Sequence, residues 1–274
     1  MKNCLSFLRY PGGKRRLISF LSEYLPSLEK ISGRYIEPFV GGGAIFFYLQ
    51  PSRAILSDIN NELIDLYTGI RYNPEKVWQI YQAMPSNKRG YNHIRKLSHF
   101  KLDLVHRAAR SLFLNRTCFK GMWRHNTDGE FNIGYGGQSR RWAIAEEDLT
   151  AVSKILRRAI IKCSDFEDII EEAKHGDYLF LDPPYRPGEK EQLHAHYIGR
   201  KFTFKDHQRL AACLKIADKR GINWSLTTSS HYDIVKLFTK FRIKHIPRGT
   251  GKKIGILTNK SGEIFVSNHN GGLK

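Results

Sequence analysis

Residues 34–70 read RYIEPFVGGGAIFFYLQPSRAILSDINNELIDLYTGI. The segment 34–39 predicts a short strand, and the glycines after it open an apolar helix. Residues 54–58 predict a second strand, followed by a helix over 60–70. Strands that alternate with helices form parallel sheets through crossover connections. The stretch therefore predicts an α/β fold with a doubly wound sheet.

The same alternation continues beyond a long interruption. The pattern is helical from about residue 73 to 114, and residues 124–137 predict a β-hairpin with Thr127, Asp128 and Gly129 at its tip. Later strands are predicted over 159–166, 177–182 and 224–230, with a helix over 205–221 and a final hairpin over 248–268. We therefore expect one sheet domain, formed by residues 1–61 and 148–274, and an inserted, mainly helical domain over 62–147.

The composition indicates an acidic partner. The chain has 274 residues and a formal net charge of +19. Neutralising phosphate charge supplies most non-specific affinity for nucleic acid, so a polyanion is expected, although a generally basic proteome is an alternative. No long apolar span or secretory signal is visible, and the four cysteines contain no CxxC pair. We expect a cytoplasmic monomer with free thiols and no membrane or metal site.

Residues 178–186, YLFLDPPYR, carry the clearest chemical signal. Asp182, Pro183, Pro184 and Tyr185 follow an apolar strand, and the carboxyl ends of parallel strands are where such sheets bind ligands. Asp182 and the Pro183 carbonyl can accept the two N–H bonds of a planar amino group on a nucleobase, while Tyr185 can stack on its ring. A strand end followed by a proline-rich turn is the plainer alternative.

Two features near the first two strands suit a nucleotide-like ligand. Glu37, Pro38 and Phe39 lead into three glycines, which let a ligand approach the backbone closely. Asp58 ends the second strand, where a carboxylate can bind ribose hydroxyls. Asp58 can instead cap the helix that follows, a role open to Asn60 as well.

These motifs resemble Dam-type N6-adenine DNA methyltransferases in order and spacing. The resemblance covers nearly the whole chain and rests on these segments: RYPGGK (9–14), EPFVGGGAIFF (37–47), SDIN (57–60), LNR (114–116), GMWRHNTDGEFNIGYG (121–136), SDF (164–166) and LDPPY (181–185). It implies a Rossmann-like methyltransferase sheet with an inserted target-recognition domain that carries a β-hairpin.

The resemblance also implies a set of residues that bind S-adenosylmethionine. Tyr10 and Lys14 would contact this cofactor, Lys14 near its carboxylate, although Lys14 can also be read as one more solvated lysine. Asp58 would hold the ribose, and Asp165 and Phe166 would frame the adenine. The remaining contacts would come from Glu37, Pro38, Phe39, Gly41, Gly43 and Asp182.

DNA would be read by the insertion and the N-terminal motif. Residues 88–141 contain twelve Lys or Arg and three acids, with aromatics interleaved that can stack on bases or form the core of a helical subdomain. The resemblance implies that Arg9 and Arg124 read guanines of GATC and that Met122 lies near the thymine methyl. Other family members often have Lys, Leu and Pro where Arg9, Met122 and Gly134 stand. The implied DNA-binding residues are Arg9, Asn115, Arg116, Lys120, Met122, Arg124, Asn126 and Gly134.

The sequence thus predicts a site-specific enzyme that flips an adenine out of duplex DNA and methylates N6. It leaves open whether a restriction endonuclease accompanies the enzyme. RNA adenine, cytosine N4 or protein glutamine is an alternative acceptor, and a non-catalytic DNA-binding module is a further alternative. The DPPY stretch contains no cysteine, which disfavours cytosine C5 chemistry. His194, His196 and Tyr197 are expected in a loop after the DPPY strand.

Overall fold

A computed structural model describes residues 7–10, 13–85, 87–126, 129–137, 144–185, 202–247 and 260–270. The loop that holds His194, His196 and Tyr197, the hairpin tip at Thr127 and Asp128, and most of the first half of the 248–268 hairpin lie outside these residues. Among the described residues, no helix is both long enough and apolar enough to span a membrane.

The centre of the structure is a mixed seven-stranded sheet. Its strands are, in chain order, β1 (Tyr35–Glu37), β2 (Ala54–Asp58), β3 (Ala159–Cys163), β4 (Tyr178–Leu181), β5 (Asn223–Ser229), β6 (Arg242–Pro247) and β7 (Lys260–Ser267). Their spatial order is β3-β2-β1-β4-β5-β7-β6. Strands β1 to β5 are parallel, and β7 runs antiparallel between β5 and β6. The predicted doubly wound α/β sheet is confirmed.

Ten α-helices surround or extend this sheet in the described chain. They are α1 (Ile18–Leu21), α2 (Ala44–Leu49), α3 (Asn61–Tyr72), α4 (Pro74–Ala83), α5 (Lys88–Lys96), α6 (Leu104–Thr117), α7 (Glu146–Leu156), α8 (Phe166–Glu172), α9 (Phe204–Lys219) and α10 (Tyr232–Leu237). Short 3-10 turns occupy Lys14–Leu17, Leu28–Lys30, His99–Lys101 and Phe119–Gly121. The predicted end of the 205–221 helix is explained by Gly221, whose φ of 71° closes α9 in a conformation that favours glycine.

Two hydrophobic clusters cover the two faces of the sheet, because successive strand residues point to opposite sides. Tyr178 and Phe180 of β4 belong to one cluster, and Leu179 and Leu181 belong to the other. The first cluster continues from the sheet into helices α3 to α7, including Leu112. Sheet and helical insertion therefore share one core, which holds the insertion at a fixed position beside the sheet.

One strand differs from the sequence prediction. The last hairpin was expected within 248–268, but its first strand is β6, at Arg242–Pro247, and it pairs with β7. Strand β6 lies at the sheet edge and has mostly exposed or half-exposed side chains. It consequently lacks the regular apolar pattern that identifies a buried strand.

Candidate active site and nucleic-acid interface

Asp182 lies directly after β4 and is held by groups from two distant segments. Its Oδ1 is 2.9 Å from Lys14 Nζ, and the Thr227 hydroxyl donates to the same oxygen at 2.7 Å. Lys14 is 5% exposed although it is a lysine. The structure therefore places Lys14 in the DPPY site itself, as a buried partner of Asp182, and the solvated-lysine alternative is wrong.

Tyr185 closes the same site. Its hydroxyl donates to Glu263 Oε2 at 3.2 Å, and Lys14 Nζ lies 4.6 Å from the centre of its ring. Burial and the nearby carboxylates of Asp182 and Glu263 raise the Tyr185 pKa well above its usual value, so the phenol stays neutral. Between Asp182 and Tyr185, Pro183 is buried and Pro184 is half-buried. The DPPY segment is thus fixed at both ends by side chains from other strands.

A glycine turn lies next to this site, between β1 and α2. Gly41 and Gly43 have φ values of 45° and 63°, and a Cβ on Gly41 would lie 3.0 Å from the Tyr10 ring. The Tyr67 hydroxyl donates to the Gly41 carbonyl at 2.8 Å. Residues with side chains would be strained in this backbone and would fill the cradle under Tyr10. The buried Pro38 leads into this turn.

Asp58 faces the turn from the end of β2. Its two oxygens accept from the backbone N–H groups of Gly41, at 3.1 Å, and Asn60, at 3.0 Å. Asn60 is the N-cap of α3, because its side chain accepts from Leu63 N. The alternative in which Asp58 is the cap is therefore wrong. Burial raises the Asp58 pKa to about 6, against the opposing effect of these hydrogen bonds.

Glu37 is a second buried carboxyl group at the same edge. It is 2% exposed and accepts from the Tyr35 hydroxyl at 2.8 Å. Burial raises its pKa well above the usual value, and the charges of Asp182 and Asp58 act in the same direction. A neutral Glu37 can donate a hydrogen bond where Asp58 and Asp182 accept.

An aromatic wall lies beyond the end of β3. The rings of Phe39 and Phe166 stack with centroids 5.3 Å apart, and Phe202 packs edge-on against Phe39 at 5.9 Å. The Arg209 guanidinium lies 4.3 Å from the centre of the Phe166 ring and pairs with Asp165 at 3.0 Å. The predicted adenine-framing residues are therefore brought together, with Arg209 and Phe202 as added members.

Two of the predicted DNA-binding residues, Arg9 and Asn115, contact each other. The Asn115 side chain accepts from Arg9 N at 3.0 Å and donates to Arg9 O at 2.7 Å. A Cβ on Gly121, where φ is 65°, would lie 2.4 Å from Arg9 Cβ. Asn115 is fully buried, so its position indicates that it holds the Arg9 backbone rather than facing solvent.

Residues 122–126 form an extended arm whose side chains alternate. Trp123 and His125 are buried, whereas Met122, Arg124 and Asn126 are half-exposed on the other face. Arg124 Nε donates to Asn132 Oδ1 at 2.9 Å. Asn126 Oδ1 accepts from Glu130 N at 2.8 Å. The arm pairs with the returning chain through the bridges His125↔Phe131 and Cys118↔Tyr135. The three arm residues expected at DNA thus share one surface.

The remaining predicted DNA contacts differ in exposure. Lys120 is exposed, with a left-handed φ of 55°, next to Phe119, which is 50% exposed. Gly134 is also exposed. Arg116 is instead 5% exposed, and burial lowers its pKa to about 10, which fits a structural role behind the interface.

Sequence reasoning missed Thr227 and Glu263. Thr227 lies in a predicted strand. Because this strand, β5, pairs with β4, the pairing could have indicated that Thr227 contacts Asp182. Glu263 lies in β7, whose antiparallel direction brings the start of the strand to the site. No motif in the sequence signals that reversal.

Comparison with known proteins identifies the family of this chain. The family model for D12 class N6 adenine-specific DNA methyltransferases matches residues 10–249. The chain belongs to this family, and its sheet is the Rossmann-like α/β fold of a methyltransferase.

Individual relatives extend over most of the chain. The Type II methyltransferase M1.LlaDCHI of Lactococcus lactis subsp. cremoris is 32% identical, covering 97% of this chain and 96% of its own length. The Type II methyltransferase M.MjaIII of Methanocaldococcus jannaschii is 34% identical, with 96% and 98% coverage. A DNA adenine methylase of Vibrio cholerae is 31% identical, with 84% and 83% coverage.

Proposed function

We propose that the chain is a site-specific enzyme that takes an adenine out of duplex DNA and methylates its N6 with S-adenosylmethionine. The observation that carries the proposal is the convergence of Lys14, Thr227 and Glu263 on Asp182 and Tyr185. These groups come from four separated segments, and they fix an acceptor and an aromatic ring at the carboxyl end of β4. A proline-rich turn with a purely structural role would not require a buried lysine on its aspartate.

The cofactor site proposed here uses the residues around the glycine turn. The cofactor would approach the backbone at Gly41 and Gly42, which are half-exposed and carry no side chain, and Asp58 offers acceptors for ribose hydroxyls. Asp165 and the aromatic wall would hold the adenine. When bound, S-adenosylmethionine supplies a methyl group activated by a sulfonium, so no covalent enzyme intermediate is required.

Catalysis would depend on how Asp182 meets the target amino group. Among the described residues, both polar contacts of the Asp182 carboxylate are made to Oδ1. Oδ2 and the Pro183 carbonyl would then accept the N–H bonds of a flipped adenine. The two acceptors would favour a pyramidal nitrogen and stabilise the positive charge that develops on it. Fixed acceptors need no reorganisation at the moment of transfer.

Tyr185 would receive the flipped base by stacking on its ring. Base–aromatic stacking contributes roughly 1–3 kcal/mol per base. The Glu263 bond to the hydroxyl fixes the ring plane in advance.

For target selection we propose GATC, with Arg9 and Arg124 reading guanines. Arginine is the usual partner of guanine O6 and N7, at about 1–3 kcal/mol of discrimination per pair. Both arginines are half-exposed, and the backbone of Arg9 and the side chain of Arg124 are each held by an asparagine. The insertion would act as the recognition domain and duplex DNA as the partner of a monomeric, cytoplasmic enzyme. The names of the Type II relatives support a cognate restriction endonuclease.

The test is methylation of a plasmid panel with labelled S-adenosylmethionine, mapped base by base, for the wild type and Asp182→Asn. We expect N6-methyladenine in GATC, with no measurable transfer by the variant. Asp218→Asn is the matched control, because Asp218 is exposed at the far end of α9 and its side chain bonds only Asn268 among the described residues. Methylation at another site would overturn the GATC assignment. Transfer only to RNA or peptide, or turnover by Asp182→Asn near wild type, would overturn the proposed function.

A further inference from the structure

A buried group of charged side chains lies outside the DPPY site, between α3 and the arm. Glu62, in the first turn of α3, is 8% exposed. Its Oε2 lies 3.0 Å from His125 Nε2, and its Oε1 accepts from Arg110 Nη1 at 3.2 Å. A carboxylate at this depth is stable only when paired and hydrogen-bonded. Glu62 therefore joins three separate segments: α3, α6 and the arm.

The other members hold the helices of the insertion together. Arg110 is 3% exposed and also donates to the carbonyls of Ile94, at 3.3 Å, and Arg95, at 3.1 Å. His99 Nδ1 lies 3.8 Å from Glu62 Oε1, and its Nε2 lies 2.7 Å from Asp65 Oδ2. Arg110 and His99 thus tie Glu62 to α5 and α6, so the carboxylate has a fixed position.

The ionisation of Glu62 fits this arrangement. Burial alone would raise its pKa, but the hydrogen bond from His125 and the charges of Arg110 and His99 outweigh burial and hold the pKa below the usual value. Glu62 is therefore an anion and a strong acceptor for the arm.

On the arm, His125 separates the two polar residues proposed to face DNA. Since side chains alternate along an extended segment, an inward His125 directs Arg124 and Asn126 outward. The His125 ring also packs edge-on against Phe131, with centroids 5.7 Å apart. Two different contacts can consequently fix His125, and they predict different mutant behaviour.

We propose that Glu62 and His125 are positioning residues that set the DNA-reading face of the arm relative to the catalytic sheet. Glu62 lies four residues after Asp58, so the bond connects the arm to the carboxyl end of β2. The proposal rests on the proposed function, because it assigns a reason for base selectivity at Arg124. It requires no contact between either residue and DNA.

The test compares His125→Gln with His125→Leu. Gln places an amide N–H at the same number of bonds from Cα as His Nε2, so it can still donate to Glu62, but it loses the ring. Leu loses the donor and keeps an apolar contact with Phe131. The first readout is hydrogen exchange of the arm amides of Asn126 and Asn132, which bond Glu130 O and Arg124 O. The second is the ratio of kcat/KM for the target site and for sites with one guanine changed.

We expect His125→Gln to retain slow exchange and wild-type selectivity. His125→Leu should exchange faster and lose selectivity by about tenfold, the scale of one arginine–guanine contact. The reverse order, with Leu near wild type and Gln impaired, would show that ring packing holds the arm and would overturn the proposal. Two variants that both behave as wild type would overturn it as well.

A double-mutant cycle with Glu62→Gln examines the same bond from the other side. Contacting residues show non-additive effects, so the exchange rate in the double variant should be no faster than in the worse single variant. Fully additive effects would contradict a direct bond. Melting temperatures and S-adenosylmethionine titrations show that each variant is folded. Because exchange needs no DNA, a wild-type protein that methylates no DNA would refute the proposed function while the exchange data still decide the role of His125.

Discussion

Lowering the pH from 7 to 5 is expected to weaken S-adenosylmethionine binding by about tenfold through protonation of Asp58. The Asp58 pKa lies at about 6, because burial disfavours its charged form. An ionised carboxylate accepts hydrogen bonds from ribose hydroxyls more strongly than a neutral one. The apparent affinity should therefore follow the ionised fraction, which falls from about 90% at pH 7 to about 9% at pH 5.

The raised pKa of Asp58 also affects folding stability, which increases as the pH falls while cofactor affinity decreases. An unfolded Asp has a pKa near 3.8, so the folded protein holds the proton more tightly than the unfolded chain. The stabilisation from the protonated form is complete below about pH 4 and is lost as the pH rises through about 6. The difference of roughly two pKa units corresponds to about 3 kcal/mol, which is the destabilisation from keeping an ionised Asp58 at neutral pH. Weaker cofactor binding at pH 5 would therefore not result from destabilisation at Asp58.

The assay is calorimetric titration of S-adenosylmethionine from pH 5 to 8, with melting temperatures measured in each buffer. Asp58→Asn is the control, because it has the same size and cannot ionise. This variant should bind weakly at every pH, without the decline below pH 6. A wild-type affinity that stays constant from pH 8 to 5 in folded protein would refute the reasoning. A decline that persists in Asp58→Asn would assign the titration to another group, such as Glu37.

Two further pairs of variants test the site and the arm. Tyr185→Ala should raise KM for DNA by roughly 5- to 150-fold through lost stacking, whereas Tyr185→Phe keeps the ring and should change it by less than about tenfold; steady-state kinetics that find the two variants equal would contradict stacking. Gly121→Ala should lower the free energy of unfolding by about 1–2 kcal/mol or more, because the φ of Gly121 is 65° and the added Cβ would lie 2.4 Å from Arg9 Cβ. Gly134→Ala should be neutral or stabilising by about 0.4–1 kcal/mol, since nothing lies within 4 Å of the added atom and its φ is not positive. Urea unfolding checks this pair, and equal losses would show that the turn tolerates neither change.

Local patterns in the sequence were sufficient where one segment carries the signal. The β1 and β2 strands, their helices and the position of Asp182 after β4 were predicted because apolar periodicity and glycines act within a few residues. The exception is β6, an edge strand without a buried face. Its identity depends on pairing with β7, which no local pattern encodes.

The candidate site was only partly predictable for the same reason. Lys14 and Asp182 were both identified, but the sequence could not show that their side chains would pair with each other. Asn115 and Arg116 were expected at DNA, whereas the structure buries both. Both residues lie in α6, which packs against other helices on more than one side. The motif therefore gives the residue types but not the directions in which their side chains point.

By itself, the sequence determined the fold class, the family resemblance and the position of the DPPY segment after a strand, since each rests on residues close together in the chain. Only the tertiary structure decided which groups surround Asp182, that β7 brings Glu263 to Tyr185, and that Glu62 meets His125 across 63 positions. These contacts depend on how helices and strands pack, because burial makes unpaired charges unfavourable and selects partners from distant segments. Motifs thus identify the candidate site residues, and packing determines their orientation.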